Sequence, residues 1–505
     1  MNSIQMTTHL NQSTIEEIKA EIRAAQKEIN QNNKKEGNLE EPRTQAKNIT
    51  FPAKTIKEEQ EFRQDVVAAQ IPTWKAVIPE LLKKLSRIPD PRRLKSIKHK
   101  VAVLMLVGLL MFVFKIKSLR AVNNEMGKPQ LLASLQDIFP ELDGMPHAST
   151  LSRFLDRIDL GHIEKAHIAM IKDLLKKKKF QKALIFGHLP LSIDGVQKVV
   201  RDGVLHDANW LERTIKIKGD AIKVQKYIYV LEANMTFQNG LTIPLMSEFL
   251  YFEGNQNQAK QDCELTAFPR LISKIKLFFK RQQIIFCLDK LYANDSVIST
   301  LEKKGWKYII VLPGKKLKSI NEALLKLKVT QAPIPGQSHY RGRKQTWSFV
   351  NNLKTKGGNN LNAISCLESW LEVDQSGKQV TQFSEHRWIT NVLISFENIH
   401  LIANLCARKR WSIEDSNNTE KNRGYNYKHL YSTHWNAMRC FHLLMRLAHA
   451  INAISEFTNK LKKFIHDFGC SYILNFIKES LEHPWLKSSW LRLISSQPGK
   501  VKLLL

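Results

Sequence analysis

The sequence predicts a mixed α/β protein, in which a helical N-terminal part precedes a sheet covered by helices. Three observations carry that prediction. Apolar residues recur at helical spacing through residues 61–183. From residue 184 the period shortens to runs rich in Tyr, Ile, Val and Phe, which alternate with helical stretches. A glycine-bearing, mostly β stretch at 315–387 interrupts the alternation before helical spacing returns. The expected core is a mixed five-stranded sheet.

Taken in order, residues 1–60 read as a polar arm. Thr14 and Glu17 form a capping-box pair ahead of Ile15, Ile18, Ile22 and Ile29, so one short helix is expected there, with 30–60 as a linker. Residues 61–183 read as a helical domain. Trp74–Leu85 is amphipathic and ends at Pro89-Asp90-Pro91. Arg92, Arg93, Lys95, Lys98 and Lys100 then lead into the apolar run Val101–Phe114, which is too short to span a bilayer and reads as a buried helix. Pro146-His147-Ala148-Ser149-Thr150 starts a helix with Leu151, Phe154 and Leu155 on one face. Helices with basic clusters suit DNA binding, and equally a packing domain with a positive surface.

The sheet region, 184–314, opens with Leu189–Asp194, a short strand expected to end at the turn pair Asp194-Gly195. Lys226–Ala233 and Ile243–Phe252 follow as strands, Glu264–Lys280 as a helix and Ile284–Leu288 as a strand with Asp289 directly behind it. Ser296–Lys304 is helical and Trp306–Leu312 is a strand stopped by Pro313-Gly314. In 315–387, Trp370–Val373 and Val380–Phe383 flank Asp374–Lys378 as a hairpin, and Arg341, Arg343 and Lys344 stand near Trp347. The second part of the core, 388–475, opens with a strand at Trp388–Ile394. A helix from Arg408 stops at Gly424, and apolar helical spacing follows His434. Residues 476–505 read as a basic tail.

Composition narrows the partner. Of 505 residues, 77 are Lys or Arg and 47 Asp or Glu, a balance of +30 that favours polyanions, nucleic acid first among them. The six cysteines show no C-x-x-C spacing, which excludes a zinc finger or disulfide framework and fits reduced thiols in the cytoplasm. The first thirty residues hold no apolar signal core, no segment spans a membrane, and no Gly-x4-Gly-Lys-Ser/Thr loop predicts ATP.

Asp194 and Asp289 each close an apolar strand, and ligand sites gather beyond the carboxyl ends of such strands. Two aspartates brought together there repel unless a cation neutralises them, and oxygen-only ligands select Mg²⁺ or Mn²⁺. In the helix after Arg408, Arg410 and Glu414 are four apart and Lys421 is two turns further, so all three share a face. Glu414 is in phase with both cations, whereas its rivals Asp415 and Glu420 are not. Asp194, Asp289 and Glu414 then form a set able to bind two metal ions about 4 Å apart for phosphodiester chemistry, with Arg410 and Lys421 on DNA phosphates. Read singly, each aspartate is a strand-end turn residue and the charged stripe a solvated helix face.

The ordered set Ile193-Asp194-Gly195, Leu288-Asp289 with Tyr292-Ala293, Trp388-Ile389-Thr390-Asn391, and Arg410-Trp411 with Ile413-Glu414, Lys421, Arg423, Gly424-Tyr425 and His429 resembles the DDE transposases of bacterial insertion sequences. The R-x3-E-x6-K spacing is similar to that of the members with a β insertion before the Glu helix, although Ala407 stands where that signature has Tyr. The resemblance implies an RNase H-like core, two Mg²⁺ or Mn²⁺ ions on Asp194, Asp289 and Glu414, and DNA contacts by Arg410, Lys421, Arg423, Tyr425, His429 and Trp388. It further implies cutting at transposon terminal repeats, strand transfer into target DNA, a homodimer on DNA, and a bacterial cytoplasmic enzyme associated with the nucleoid when bound. An inactive or domesticated DNA-binding descendant, another RNase H-like nuclease, and a basic structural or membrane-surface protein are the alternatives.

Overall fold

A computed structural model describes residues 46–504 except 48, 203–208, 217–221, 252–261, 331–333, 341 and 374–377, together with 20, 24, 27, 28 and 31; the side chains of 216, 327–330 and 334–339 are also outside the description. The capping box expected at Thr14 and Glu17, the hairpin turn at 374–377 and Arg341 therefore lie outside the described residues. The chain divides into two compact units. The larger comprises residues 45–289, 300–307 and 408–505; the smaller comprises 1–44, 290–299 and 308–407.

The main helices at the start of the larger unit are α1 (Ile56–Leu85), α2 (Val101–Val113), α3 (Pro129–Ile138), α4 (Ala148–Arg157) and α5 (Gly161–Lys176). Helix α1 starts inside the stretch expected to be linker. Thr55 accepts from the Glu58 amide at 3.2 Å and the Glu58 carboxylate returns to the Thr55 amide, which closes a capping box. The helix also runs through Pro72 and Pro79. Its buried stripe, including Val67, Ile71, Trp74, Ile78, Leu81 and Leu85, outweighs the two missing donors. Helix α2 is buried everywhere but Ala102, as its composition predicts. Helix α4 starts at the expected place, with His147 as its cap.

Four strands follow: β1 (Leu189–Asp202), β2 (Leu211–Lys216), β3 (Ile222–Thr236) and β4 (Thr242–Leu250). Helix α6 (Glu264–Phe278) and strand β5 (Ile284–Leu288) complete this part. Strand β1 does not end at Asp194, as the sequence suggests; β3 offers antiparallel partners as far as Asp202, so β1 continues through Asp194 and Gly195. β2 was not foreseen and pairs with the start of β3, while β4 pairs with its end. On its other side β1 runs parallel to β5, from Leu189 opposite Ile284 to Ser192 opposite Cys287. The sheet is therefore mixed.

In chain order, α7 (Asp295–Glu302) and β6 (Lys307–Val311) come next. The smaller unit carries α8 (Lys318–Thr330), unforeseen in a stretch read as β, and then β7 (Ile334–Tyr340), β8 (Arg343–Lys354), β9 (Asn360–Val373) and β10 (Gln379–Thr390). These four strands form an antiparallel meander, and β10 also pairs with β6. The expected hairpin strands do pair, from Trp370 opposite Gln382 to Glu372 opposite Val380. Trp388 is the continuation of β10 and not the start of a separate strand.

The chain returns to the larger unit with α9 (Trp411–Asn422), α10 (Trp435–Glu456), α11 (Asn459–Phe468), α12 (Cys470–Glu482) and α13 (Ser488–Ser496). Helix α10 is the central helix, buried continuously from Phe441 to Ser455, and it packs on α2, α4 and β4. Of residues 476–505, read as a tail, the described ones, 476–504, are folded: the Lys500 amide donates to Pro72 O at 2.9 Å and the Leu504 amide to Phe457 O at 2.9 Å. Their apolar members, Leu481, Leu491 and Val501, are buried, which explains the difference. All six cysteines are free thiols, and no helix among the described residues is long and apolar enough to cross a membrane.

Candidate active site

Three elements of the larger unit meet at Asp194. The first pair of acids is set by register. The parallel pairing of β1 and β5 ends at Ser192 and Cys287, and Asp194 and Asp289 each stand two residues further on. Asp194 lies inside β1 and Asp289 directly follows β5, close enough for their charges to interact. The third element is α9, with Glu414 in its first turn and Arg410 as its N-cap. Arg410 Nη1 donates to Glu414 Oε1 at 2.9 Å, the i, i+4 pairing expected from spacing. The guanidinium is almost fully buried and stacks 4.4 Å from the centroid of the Trp411 ring, whereas the Glu414 side chain is 42% exposed.

Electrostatics couples the members of the group. Burial pushes Asp194 up to about 6, and the carboxylates of Glu264, Glu414 and Asp289 add to the rise while Arg410 opposes it. Glu264 was not foreseen. It is the first residue of α6, and its Oε1 accepts from Tyr229 Oη at 2.8 Å. Desolvation and the Glu264 charge hold the Tyr229 phenol well above its usual range, so it remains a donor. Gly195 makes room for both groups: a Cβ there would lie 2.4 Å from Glu264 Cδ and 2.6 Å from the Tyr229 ring. The Asp-Gly pair is thus not a turn. A glycine inside a strand signals close approach, and that signal was present in the sequence; nothing in the spacing pointed to Glu264.

Helix α9 is tied to the sheet by polar bonds. Asn417 Nδ2 donates to Asp194 Oδ2 at 3.0 Å, and Asn234 Nδ2 donates to Ser416 Oγ at 3.1 Å. Glu420, a rival for the catalytic acid in the sequence, is fully buried; its Oε1 accepts from Arg446 Nη1 at 3.0 Å and lies 2.7 Å from His449 Nδ1. Arg446 also faces Glu232 at 3.3 Å, and Glu232 accepts from Tyr427 Oη at 3.1 Å and Ser247 Oγ at 2.6 Å. Burial drives Glu232 and Glu420 upward, but Arg446 and the adjoining histidines prevail and hold both carboxyls below their ordinary range. Behind them Lys198 donates to Tyr427 O at 2.7 Å, and burial brings its amine down to about 8.

The other expected site residues are distributed unevenly. Lys421 is half-buried in the last turn of α9, and Arg423 and His429 are exposed beyond it. Tyr425, expected at DNA, is a core residue: its hydroxyl accepts from Asn452 Nδ2 at 2.8 Å. Trp388, also expected at DNA, is buried in β10 and stacks on His386. Both rings are drawn inward by the apolar area they bury. Asp415 is exposed on α9. In the smaller unit Arg343 donates to the buried Glu368 and stacks on Trp370, and Trp347 is buried.

The chain matches two family models. One, described as DDE_Tnp_1-associated, covers residues 82–171, the helices from the end of α1 into α5. The other, described as Transposase DDE domain, covers residues 258–452, from ahead of α6 into α10. The chain belongs to the DDE-type transposases. Comparison with the curated proteins returns no match. The transposase match contains Asp289 and Glu414, while Asp194 precedes it on β1. The mixed α/β architecture with a helical N-terminal region is consistent with an RNase H-like transposase core.

Enzymes of this family generally use a divalent metal. The donors present suit such an ion in kind: they are carboxylate oxygens, and their mutual repulsion, which lifts Asp194, is what a dication relieves. Among the described residues no three His, Cys, Asp or Glu side chains stand in a metal-holding arrangement, and the Glu414 carboxylate is engaged by Arg410.

Proposed function

We propose that this transposase binds the terminal repeats of an insertion sequence, cuts them in a metal-dependent reaction, and joins the freed ends to target DNA. The observation that supports this most is the parallel pairing of β1 and β5, the strands that lead to Asp194 and Asp289. Asp194, Asp289 and Glu414 are the acids that would hold Mg²⁺ or Mn²⁺, two ions in the full centre. Bound there, the metal supplies Lewis-acid activation of a water and stabilisation of the leaving oxygen. In the first step the water oxygen bonds to phosphorus and the 3′ oxygen leaves as a hydroxyl. In the second, that 3′-OH bonds to a target phosphorus and displaces a target 3′ oxygen, so no bond to protein forms. The chain's own side chains orient the DNA: Lys421, Arg423 and His429 at the far end of α9 suit phosphate contacts, whereas Arg410, buried against Trp411 and bonded to Glu414, orients that acid. The overall charge of +30 favours the same partner. We read the working form as a homodimer that holds two ends.

The test uses a supercoiled plasmid carrying the DNA that borders the reading frame. Wild-type protein with Mg²⁺ is expected to nick it at the borders, while D194N, D289N and E414Q retain binding and lose nicking. A variant that still cuts removes its residue from the catalytic set. Binding without cutting by the wild type identifies a DNA-binding descendant.

A further inference from the structure

We propose that Asn417 is a positioning residue of the cutting centre, setting the distance and phase between the strand that carries Asp194 and the helix that carries Glu414. The inference rests on the reading of those two acids as members of that centre. Asn417 stands three residues after Glu414, its neighbour along the surface of α9. Its side chain is 4% exposed, and Nδ2 donates to Asp194 Oδ2 at 3.0 Å. The other polar anchors of α9 act elsewhere: Ser416 meets Asn234 on β3, and Glu420 meets Arg446 and His449 on α10. Asn417 reaches the acid itself. One carboxamide therefore fixes the orientation of the Asp194 carboxylate and, through the helix, the place of Glu414.

The acceptor end of Asn417 argues for position over stability. Its Oδ1 is buried with no hydrogen-bond partner from the protein. Leaving such an acceptor bare costs about 1–3 kcal/mol, a cost that an apolar residue of the same shape avoids. Leu at 417 would pack in that volume without the orphaned oxygen. Asparagine brings what leucine lacks, a directional donor aimed at Asp194.

Full-length N417L, N417D and N417H are compared with the wild type in the plasmid nicking assay, with DNA affinity and melting temperature measured in parallel. Leu removes the donor, Asp replaces it with an acceptor of equal size, and His restores a ring N–H near the same place. Since partners that orient metal-site ligands are typically worth 10–100-fold in affinity or activity, N417L and N417D should cut about 10–100-fold more slowly at saturating DNA. Half-saturating DNA should not change, N417L should melt no lower than the wild type, and N417H should recover part of the rate. Wild-type rates in N417L, or no recovery in N417H, overturn the positioning role. Slow cutting that tracks a lowered melting temperature also overturns it, by assigning Asn417 to folding. If N417L does not fold, N417D decides on the same rate criterion. D194N is assayed alongside. If it still cuts, the reading of the centre fails; if it is dead while N417L cuts normally, only the positioning role fails.

Discussion

Helices α2 and α9 are both packed inside the larger unit, but they are held in opposite ways. Helix α2 buries Leu, Val, Met and Phe on every side. Helix α9 buries Ser412, Ile413, Ser416, Asn417 and Glu420, one apolar residue among four polar ones. Apolar packing is non-directional and stabilises wherever volume is filled. Hydrogen bonds and ion pairs contribute little net free energy but fix distance and angle. The difference separates two jobs: α2 supplies stability to the fold, and α9 supplies geometry to Glu414.

The sharpest way to break that contrast is at its shared anchor. Arg446→Met keeps the bulk but leaves Glu232 and Glu420 buried without their cation. Removing one partner of a buried ion pair costs about 3–5 kcal/mol, so a large fall in urea midpoint is expected. An unchanged midpoint would show that the network is not what seats α9. In α2, Leu106→Ala opens a cavity at a fully buried position and should cost about 2–5 kcal/mol. Its cutting rate per folded molecule should equal that of the wild type; a slower rate at full folding would erase the division between the two helices.

Asp194→Asn tests the contrast from the side of the acid. The folded protein keeps the Asp194 proton up to about pH 6, against 3.8 for the free side chain. The charged group therefore lowers stability, by nothing below pH 3.8 and by its full amount above about 6. Asparagine removes that cost, so metal-free D194N should gain up to about 3 kcal/mol at pH 7 and lose all cutting. Urea melts in EDTA at pH 4 and pH 7 check the sign: the gap between variant and wild type must widen as pH rises. The smallest effect belongs to Ser416→Ala, which removes one neutral hydrogen bond from Asn234 and should cost about 1 kcal/mol. If cutting falls far more than stability in S416A, the seam positions the helix as a unit and not through Asn417 alone.

Much of this was legible in the sequence because it is local. The short apolar run Val101–Phe114 reads as a buried helix, Ile284–Leu288 as a strand, and the 410/414 spacing as an ion pair, all found as read. The strands that lead to Asp194 and Asp289 are neighbours, since β1 and β5 pair. What was not legible depends on partners far along the chain. Asp194-Gly195 looks like a strand end until β3 supplies partners to Asp202. Glu264 is one acid among many until folding lays it over Gly195. Tyr425 reads as a DNA contact until Asn452 claims its hydroxyl. The helix read at Trp74–Leu85 starts eighteen residues earlier, at Ile56, because the buried stripe of α1 continues through Pro72.

Gly195 has a consequence for how such a chain can change over generations. Its one spare hydrogen faces a carboxylate and a phenol, so the address tolerates nothing larger while both remain. Drift at 195 and drift at 264 are thereby coupled, and a second sequence folded in this way that carries bulk at the first must carry something shorter at the second.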